Sequence, residues 1–269
     1  MNFLSSAPAR RDYFPRGLLQ VPGSFRFSAD ALLLAAFALR HCPAKRPRTR
    51  LLDLGCGCGV VGLACLLGNA FMSCLGADIF PELAGAAIAN AGRLGLSERY
   101  AAMPVNLELP EERARLPQAA FSLVAANMPF RRAGRGRLPQ NALRKKALFA
   151  DENTLSAFIL SAAQAIAPDG AFALIYPWDE RDALFAALAE HGFRVRAYRG
   201  ICTRGLVPTR CLALALPGSR GAGSGRGEAR REKDIVLHSM GETAYTAEAA
   251  RFCPWLLCRP WGLTTTCLS

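Results

Sequence analysis

The sequence predicts an α/β fold: a mostly parallel, seven-stranded sheet with an antiparallel edge and helices on both faces. Three observations carry this expectation. Short apolar runs alternate with helix-length segments from Arg50 to Gly192, the pattern of parallel strands joined by crossover helices. One such run, Arg50 to Leu54, ends on the alternating glycines Gly55, Gly57 and Gly59. The last two runs, Phe193 to Tyr198 and Cys211 to Leu216, have no helix between them and therefore pair antiparallel at an edge.

Each element has local grounds. Phe25 to Leu39 opens aromatic and basic and then runs apolar from Ala31, with Ser28 and Asp30 placed to cap the helix. Arg50 to Leu54 reads as a buried parallel strand, a helix follows to about Leu67, and Ser73 to Ala77 is the second strand. Pro81 to Leu94 is a helix with proline in its first turn. Tyr100 to Asn106 and Phe121 to Ala126 are strands. The next helix, from about Asp151 to Ala167, stops at Pro168-Asp169-Gly170. Ala171 to Tyr176 is a strand, and Asp179 to His191 is a helix ended by Gly192. Gly218 to Lys233, rich in Gly, Ser and Arg, is expected to be a disordered linker. Beyond it, Asp234 to His238 suits one more strand and Thr246 to Leu257 a short helix.

With 269 residues, 51% of them hydrophobic, the chain has the size of one α/β domain and enough apolar matter for its core. The formal charge of +12 does not bear on fold but predicts attraction to polyanions. The ten cysteines form no Cys-x-x-Cys pair, and Cys253, Cys258 and Cys267 lack a histidine at zinc-finger spacing. Reduced, partly buried thiols in a cytoplasmic protein, and no metal site, are the expectation. Met1 to Pro15 has no apolar core of signal-peptide length. Leu54 to Ala77 carries no charge, but six glycines and Asn69 interrupt it and Asp53 and Asp78 close its ends. It reads as strand, turn, helix and strand, so no membrane is expected as a partner. His41, His191 and His238 lie far apart, and no Gly-x-Ser-x-Gly elbow or Gly-Lys-Ser/Thr loop occurs, which sets aside triad and P-loop chemistry.

The glycine run is the first candidate site. In Asp53-Leu54-Gly55-Cys56-Gly57-Cys58-Gly59, alternate glycines let the chain turn sharply after a strand and let a ligand approach the main chain. Asp78 ends the next strand, where a carboxylate can accept from both ribose hydroxyls. Gly57-Cys58-Gly59-Val60-Val61-Gly62 also fits a dinucleotide fingerprint. Asp53, just ahead of the glycines, favours S-adenosylmethionine, because dinucleotide sites usually have an apolar residue there.

The second candidate site is Asn127-Met128-Pro129-Phe130, after the fourth strand. Ligands in an open parallel sheet bind beyond the carboxyl ends of its strands, so this turn faces the same crevice. The Asn127 side-chain oxygen and the Met128 main-chain oxygen can each accept one N–H of an amino group. That frees the nitrogen lone pair from the conjugated system and aims it at an electrophilic methyl. Phe130 can stack on a flat substrate, worth about 1–3 kcal/mol per base.

Together these motifs resemble the tRNA adenine-N6 methyltransferases that modify the adenosine beside the valine anticodon, a branch of the Rossmann-like class I methyltransferases. The resemblance rests on Gln20 to Leu34, on Asp53 to Gly59 with Gly76 to Ile79 and Pro81-Glu82, and on Asn127 to Phe130 with the basic segment behind it. Ala244 to Glu248 is similar to a C-terminal motif of that family. The resemblance implies S-adenosylmethionine as cofactor, with Phe25, Ser28 and Asp30 lining its pocket. It also implies Asp53, Gly55, Cys56, Gly57, Gly59 and Ile79 around the cofactor, Asp78 on its ribose, and Asn106 and Asn127 beside it. It divides the chain into a cofactor-covering extension (1–40), a catalytic domain (41–217), a linker (218–233) and a C-terminal strand and helix (234–269). Two positions depart from the family: Met128 replaces the first proline of Asn-Pro-Pro-Tyr/Phe, and Asn106 stands where many relatives have Asp.

Arg131, Arg132, Arg135, Arg137, Arg144, Lys145 and Lys146 follow the turn directly, placed for phosphate contacts that would orient RNA, tRNA above all, at the mouth. No obligate protein partner is inferred. The same turn chemistry serves guanine N2 in RNA and a protein glutamine amide, so these remain open beside adenine N6. An inactive RNA-binding module of the same fold is the alternative from outside catalysis.

Overall fold

A computed structural model describes residues 14–24, 26–42, 49–128, 152–218 and 228–257. Phe25, Pro129, Phe130 and the basic positions Arg131, Arg132, Arg135, Arg137, Arg144, Lys145 and Lys146 lie outside the described residues.

Strands β1 (Thr49–Leu54), β2 (Met72–Asp78), β3 (Tyr100–Pro104), β4 (Phe121–Asn127) and β5 (Ile166–Pro177) form the parallel part of the sheet, and β6 (Phe193–Arg204) and β7 (Arg210–Pro217) extend it. Two short strands, β8 (Arg230–Arg231) and β9 (Ile235–His238), pair with the far side of β6. The order β3-β2-β1-β4-β5-β7-β6-β8 reverses direction between β1 and β4, the switch point where open α/β sheets bind ligands.

Helices α1 (Ala29–His41), α2 (Val60–Gly68) and α3 (Pro81–Arg93) cover one face. A single turn, α4 (Pro110–Arg113), follows β3, while α5 (Glu152–Ala165) and α6 (Arg181–Glu190) cover the other face. The last helix, α7 (Ala247–Phe252), packs beside α1. The central strands have apolar residues on both sides, as in β4 with Leu123, Val124, Ala125 and Ala126 all inaccessible, because helices seal both faces of a parallel sheet. Ser28 caps α1 by accepting the Asp30 N–H at 3.3 Å, as its sequence position predicts.

Four expectations need correction. Among the described residues the sheet has nine strands, not seven. The antiparallel strand is internal rather than at the edge: β7 runs between β5 and β6 and is antiparallel to both. The helix before β5 ends at Ala165, and Pro168-Asp169-Gly170 falls inside β5. Strand pairing wins there because Ile166 already aligns with Phe121, with a register shift before Ala171 aligns with Leu123. Part of the Gly/Ser/Arg stretch is built into the sheet, since Arg230 and Arg231 pair with Ala197 and Tyr198. Glu232, between several cations, gives the sequence there a reason to fold: it binds Arg199 at 2.8 Å, Arg230 at 2.6 Å and His41 at 3.5 Å.

No helix among the described residues is long and apolar enough to cross a membrane. Among them, no group of three His, Cys, Asp or Glu side chains could hold a metal. The eight described cysteines are free and buried.

Candidate functional site

β1 delivers the glycine loop, and two carboxylates shape it. The Gly55 and Cys56 N–H groups donate to Ala77 O of β2 at 2.8 and 3.0 Å. Asp78 Oδ2 accepts the Gly57 N–H at 2.8 Å, and its Oδ1 accepts the Phe80 N–H at 3.1 Å. Asp53 Oδ2 accepts the Gly62 N–H at 2.9 Å, fixing the first turn of α2 beneath the loop. Gly57 has φ +55°, a backbone that side chains rarely adopt. A Cβ there would meet no heavy atom within 4 Å, so the loop leaves open space above its main chain. Gly76 serves a different end: a Cβ would come within 2.6 Å of Tyr100 Oη and 2.8 Å of Cys56 Sγ, so only glycine lets β2 pass under the loop.

That open space belongs to a cavity of about 180 Å³. Its wall includes Ser28, Asp30, Gly55, Cys56, Gly57, Asp78, Ile79, Asn106, Asn127 and Met128, bringing together residues from five separate stretches of sequence. Asn127 is the last residue of β4, one strand from the glycine loop. Asp53 and Gly59 do not line the cavity. Asp53 is buried below the loop at 1% exposure, and a Cβ on Gly59 would press on Ala87 and Tyr100 at 3.0 Å. Both act on the cavity through the backbone they shape.

The departures from the family pattern acquire physical reasons here. Met128 is 2% exposed and its side chain packs with the apolar cluster under α5, so an apolar anchor fixes the turn where a proline would stiffen it. Asn106 Oδ1 accepts the Glu108 N–H at 3.1 Å, while its own N–H donates to Glu112 Oε2 at 2.7 Å. A neutral side chain suffices for that turn. Several wall residues carry no motif: Leu83, Val105, Leu107, Thr154 and Phe158. Phe158 of α5 sets its ring edge 3.2 Å from where a Gly55 Cβ would stand. Thr154 donates to Glu108 at 2.9 Å. Neither gave a signal in the sequence: each is an ordinary position, one apolar and one hydroxyl, on the helix after β4.

Electrostatics keep the thiols out of the chemistry. Burial pushes Cys58 up to about 12 and Cys56 well above the ordinary thiol range, so neither is a nucleophile. Burial, opposed by the Gly62 N–H and assisted by nearby Asp78, lifts Asp53 to about 7. Burial raises Asp78 too, with the Phe80 and Gly57 N–H groups holding it back.

No family model matches the chain. It is 27% identical over 191 residues to a release factor glutamine methyltransferase of Salmonella typhimurium, covering 68% of this chain and 65% of that one. It is 29% identical over 171 residues to a release factor glutamine methyltransferase of Bordetella pertussis, covering 61% of each. The matched region thus spans less than two thirds of the length of these relatives. Among solved structures, a predicted O-methyltransferase of Agrobacterium tumefaciens superposes with TM-score 0.62 at 22% identity, covering 84% of this chain and 96% of that one. A ribosomal protein L11 methylase of Lactobacillus delbrueckii subsp. bulgaricus gives 0.50 at 18%, covering 69% and 78%. The fold is that of the Rossmann-like methyltransferases. On that fold, the glycine loop, Asp78 and Asn127 meet on one cavity.

Proposed function

We propose that this chain methylates a planar amide or amino nitrogen held at the Asn127–Phe130 turn. The observation that carries the proposal is that Asn127 and Met128 share a cavity wall with Gly57 and Asp78. In this reading Asp78 holds the cofactor ribose, the glycine loop leaves room for its methionine end, and Ile79, Leu83, Val105 and Leu107 flank its base. When bound, S-adenosylmethionine supplies a methyl on a cationic sulfur: an N–C bond forms to it as the C–S bond breaks, and that electron pair stays on sulfur. Asn127 Oδ1 and the Met128 carbonyl each accept one N–H of the substrate, which localises the nitrogen lone pair and points it along the cavity. Neither group needs to act as a base, because the alkylated nitrogen sheds its extra proton to water after transfer.

For the substrate, we propose the side-chain amide of a protein glutamine, the chemistry named for the Salmonella and Bordetella relatives. A second reading, adenine N6 of tRNA, is favoured by the Gln20 to Leu34 block, the net charge of +12 and the basic run from Arg131 to Lys146. Incubation with methyl-labelled S-adenosylmethionine and either an unmodified peptide-chain release factor or unmodified total tRNA separates them by mass spectrometry. N5-methylglutamine supports the first and N6-methyladenosine the second. Label at guanine N2 moves the substrate within RNA, and label in neither pool overturns both.

A further inference from the structure

Asn90 stands apart from the cavity wall but touches two of the segments that form it. It lies on α3, 0% exposed, among the small side chains Ala87 and Ala91. Its Oδ1 accepts the Leu19 N–H at 2.7 Å, and its Nδ2 donates to Leu19 O and to Cys58 O, both at 2.9 Å. Both amide hydrogens and one acceptor site are therefore engaged, all with main chain. Leu19 sits in the stretch ahead of α1, whose Gln20, Ser24, Phe27 and Ser28 line the cavity. Cys58 sits in the glycine loop.

Other described contacts tie this stretch and the start of α1 to the body. Phe14 meets Trp255 edge-on at 5.8 Å, and Arg210 Nε reaches Asp30 Oδ2 at 3.2 Å. Neither of these touches the glycine loop, whereas Asn90 holds loop and stretch with one rigid amide. A shift of the loop on cofactor binding must move Cys58 O, and Asn90 passes that displacement to Leu19. Any such coupling acts equally in both directions.

We propose that Asn90 is a positioning residue coupling the cofactor loop to the stretch ahead of α1 (residues 14–24 and 26–28), so that cofactor binding fastens that stretch as a cover over the cavity. Asn90 neither lines the cavity nor takes part in methyl transfer. A polar side chain at this depth is costly unless all its partners are in place, and here every partner belongs to the loop or to the cover.

The test uses S-adenosylhomocysteine as ligand, the full chain, and two readouts: calorimetric affinity and trypsin cleavage at Arg16 and Arg26, both exposed in the cover. In the parent, saturating ligand slows cleavage at both sites. In Asn90→Leu, affinity falls about tenfold, the effect of losing one to two buried hydrogen bonds, and saturating ligand no longer protects the cover. Asn90→Asp, of equal size and with the donors replaced by an acceptor, behaves the same way and serves if Asn90→Leu does not fold. Leu184→Ala, which opens a cavity at a buried position of α6 on the opposite face, supplies a comparable loss of melting temperature with affinity and protection intact. Protection of the cover at parent level in both Asn90 variants, or its equal loss in Leu184→Ala, overturns the proposal.

Discussion

Asp53 lies at the end of β1 and Asp78 at the end of β2, whereas Glu232 and Asp234 flank β6, and the two pairs are held in opposite ways. The inner pair is buried and, among the described residues, meets only backbone N–H groups, from Gly62, Gly57, Phe80 and Ile79. The outer pair meets arginines: Glu232 binds Arg199 and Arg230, and Asp234 binds Arg231 at 2.7 Å. Arg40 and Arg199 further stack on Phe252 at 4.1 and 4.9 Å. The contrast shows in proton affinity. Burial alone would raise Glu232, but the Arg199 and Arg230 hydrogen bonds and nearby His41 outweigh it and hold the carboxyl below its usual range. Asp53, with no cation beside it among the described residues, rises to about 7. A chain with 33 Lys and Arg against 21 Asp and Glu thus places cations along its outer strands and withholds them from the inner acids. Asp78, held only by N–H groups, keeps lone pairs on the cavity wall, whereas the carboxylates locked to arginine serve the architecture.

Substitutions can break this contrast, starting with the largest effect. Asn127→Ala should lower turnover roughly a hundredfold or more, with cofactor affinity nearly unchanged, measured by single-turnover methyl transfer beside calorimetry. Next, Asp78→Ala should weaken S-adenosylhomocysteine binding about ten- to a hundredfold, the effect of losing a charged hydrogen-bonding group; in Glu232→Gln that affinity should hold. The two regions should also answer pH with opposite signs. Asp53 binds its proton more tightly folded than unfolded, so its contribution is favourable at low pH and is lost as pH rises through about 7. Asp53→Asn should therefore flatten the fall in melting temperature of the ligand-free protein between pH 5 and 8. Glu232 binds its proton less tightly folded, so its contribution is present above the ordinary carboxylate range and is lost on acidification. Glu232→Gln should cost about 1–3 kcal/mol at neutral pH and progressively less toward pH 3, read by denaturant titration.

What could be read from sequence follows the range of the forces involved. The glycine loop, Asp78 and the Asn127 turn were legible because each is a local strand-to-turn signal, and the sheet then brings them to one edge. Arg230 and Arg231 were hidden in a Gly/Ser/Arg run, since their order comes from pairing with Ala197 and Tyr198 and from Glu232 reaching back to Arg199 and His41. Pro168-Asp169-Gly170 looked like a stop, but the edge of β4 overrides it. Asn90 and Phe158 gave no signal, as one amide and one ring among ordinary helix positions gain their roles only from elements that pack against them.

The internal place of β7 has a consequence for how the chain is made. β5 is complete once Pro177 has been synthesised, yet the edge that faces away from β4 stays unpaired until Arg210–Pro217 follows. Until β7 docks there, β5 presents an open edge, and its Phe172, Leu174 and Ile175 are wholly buried in the finished protein. Such an open edge can recruit another chain. The β6–β7 hairpin is therefore a closing stroke as well as a structural element: a chain halted before residue 217 leaves its sticky edge bare, and a nascent chain that passes this point seals it.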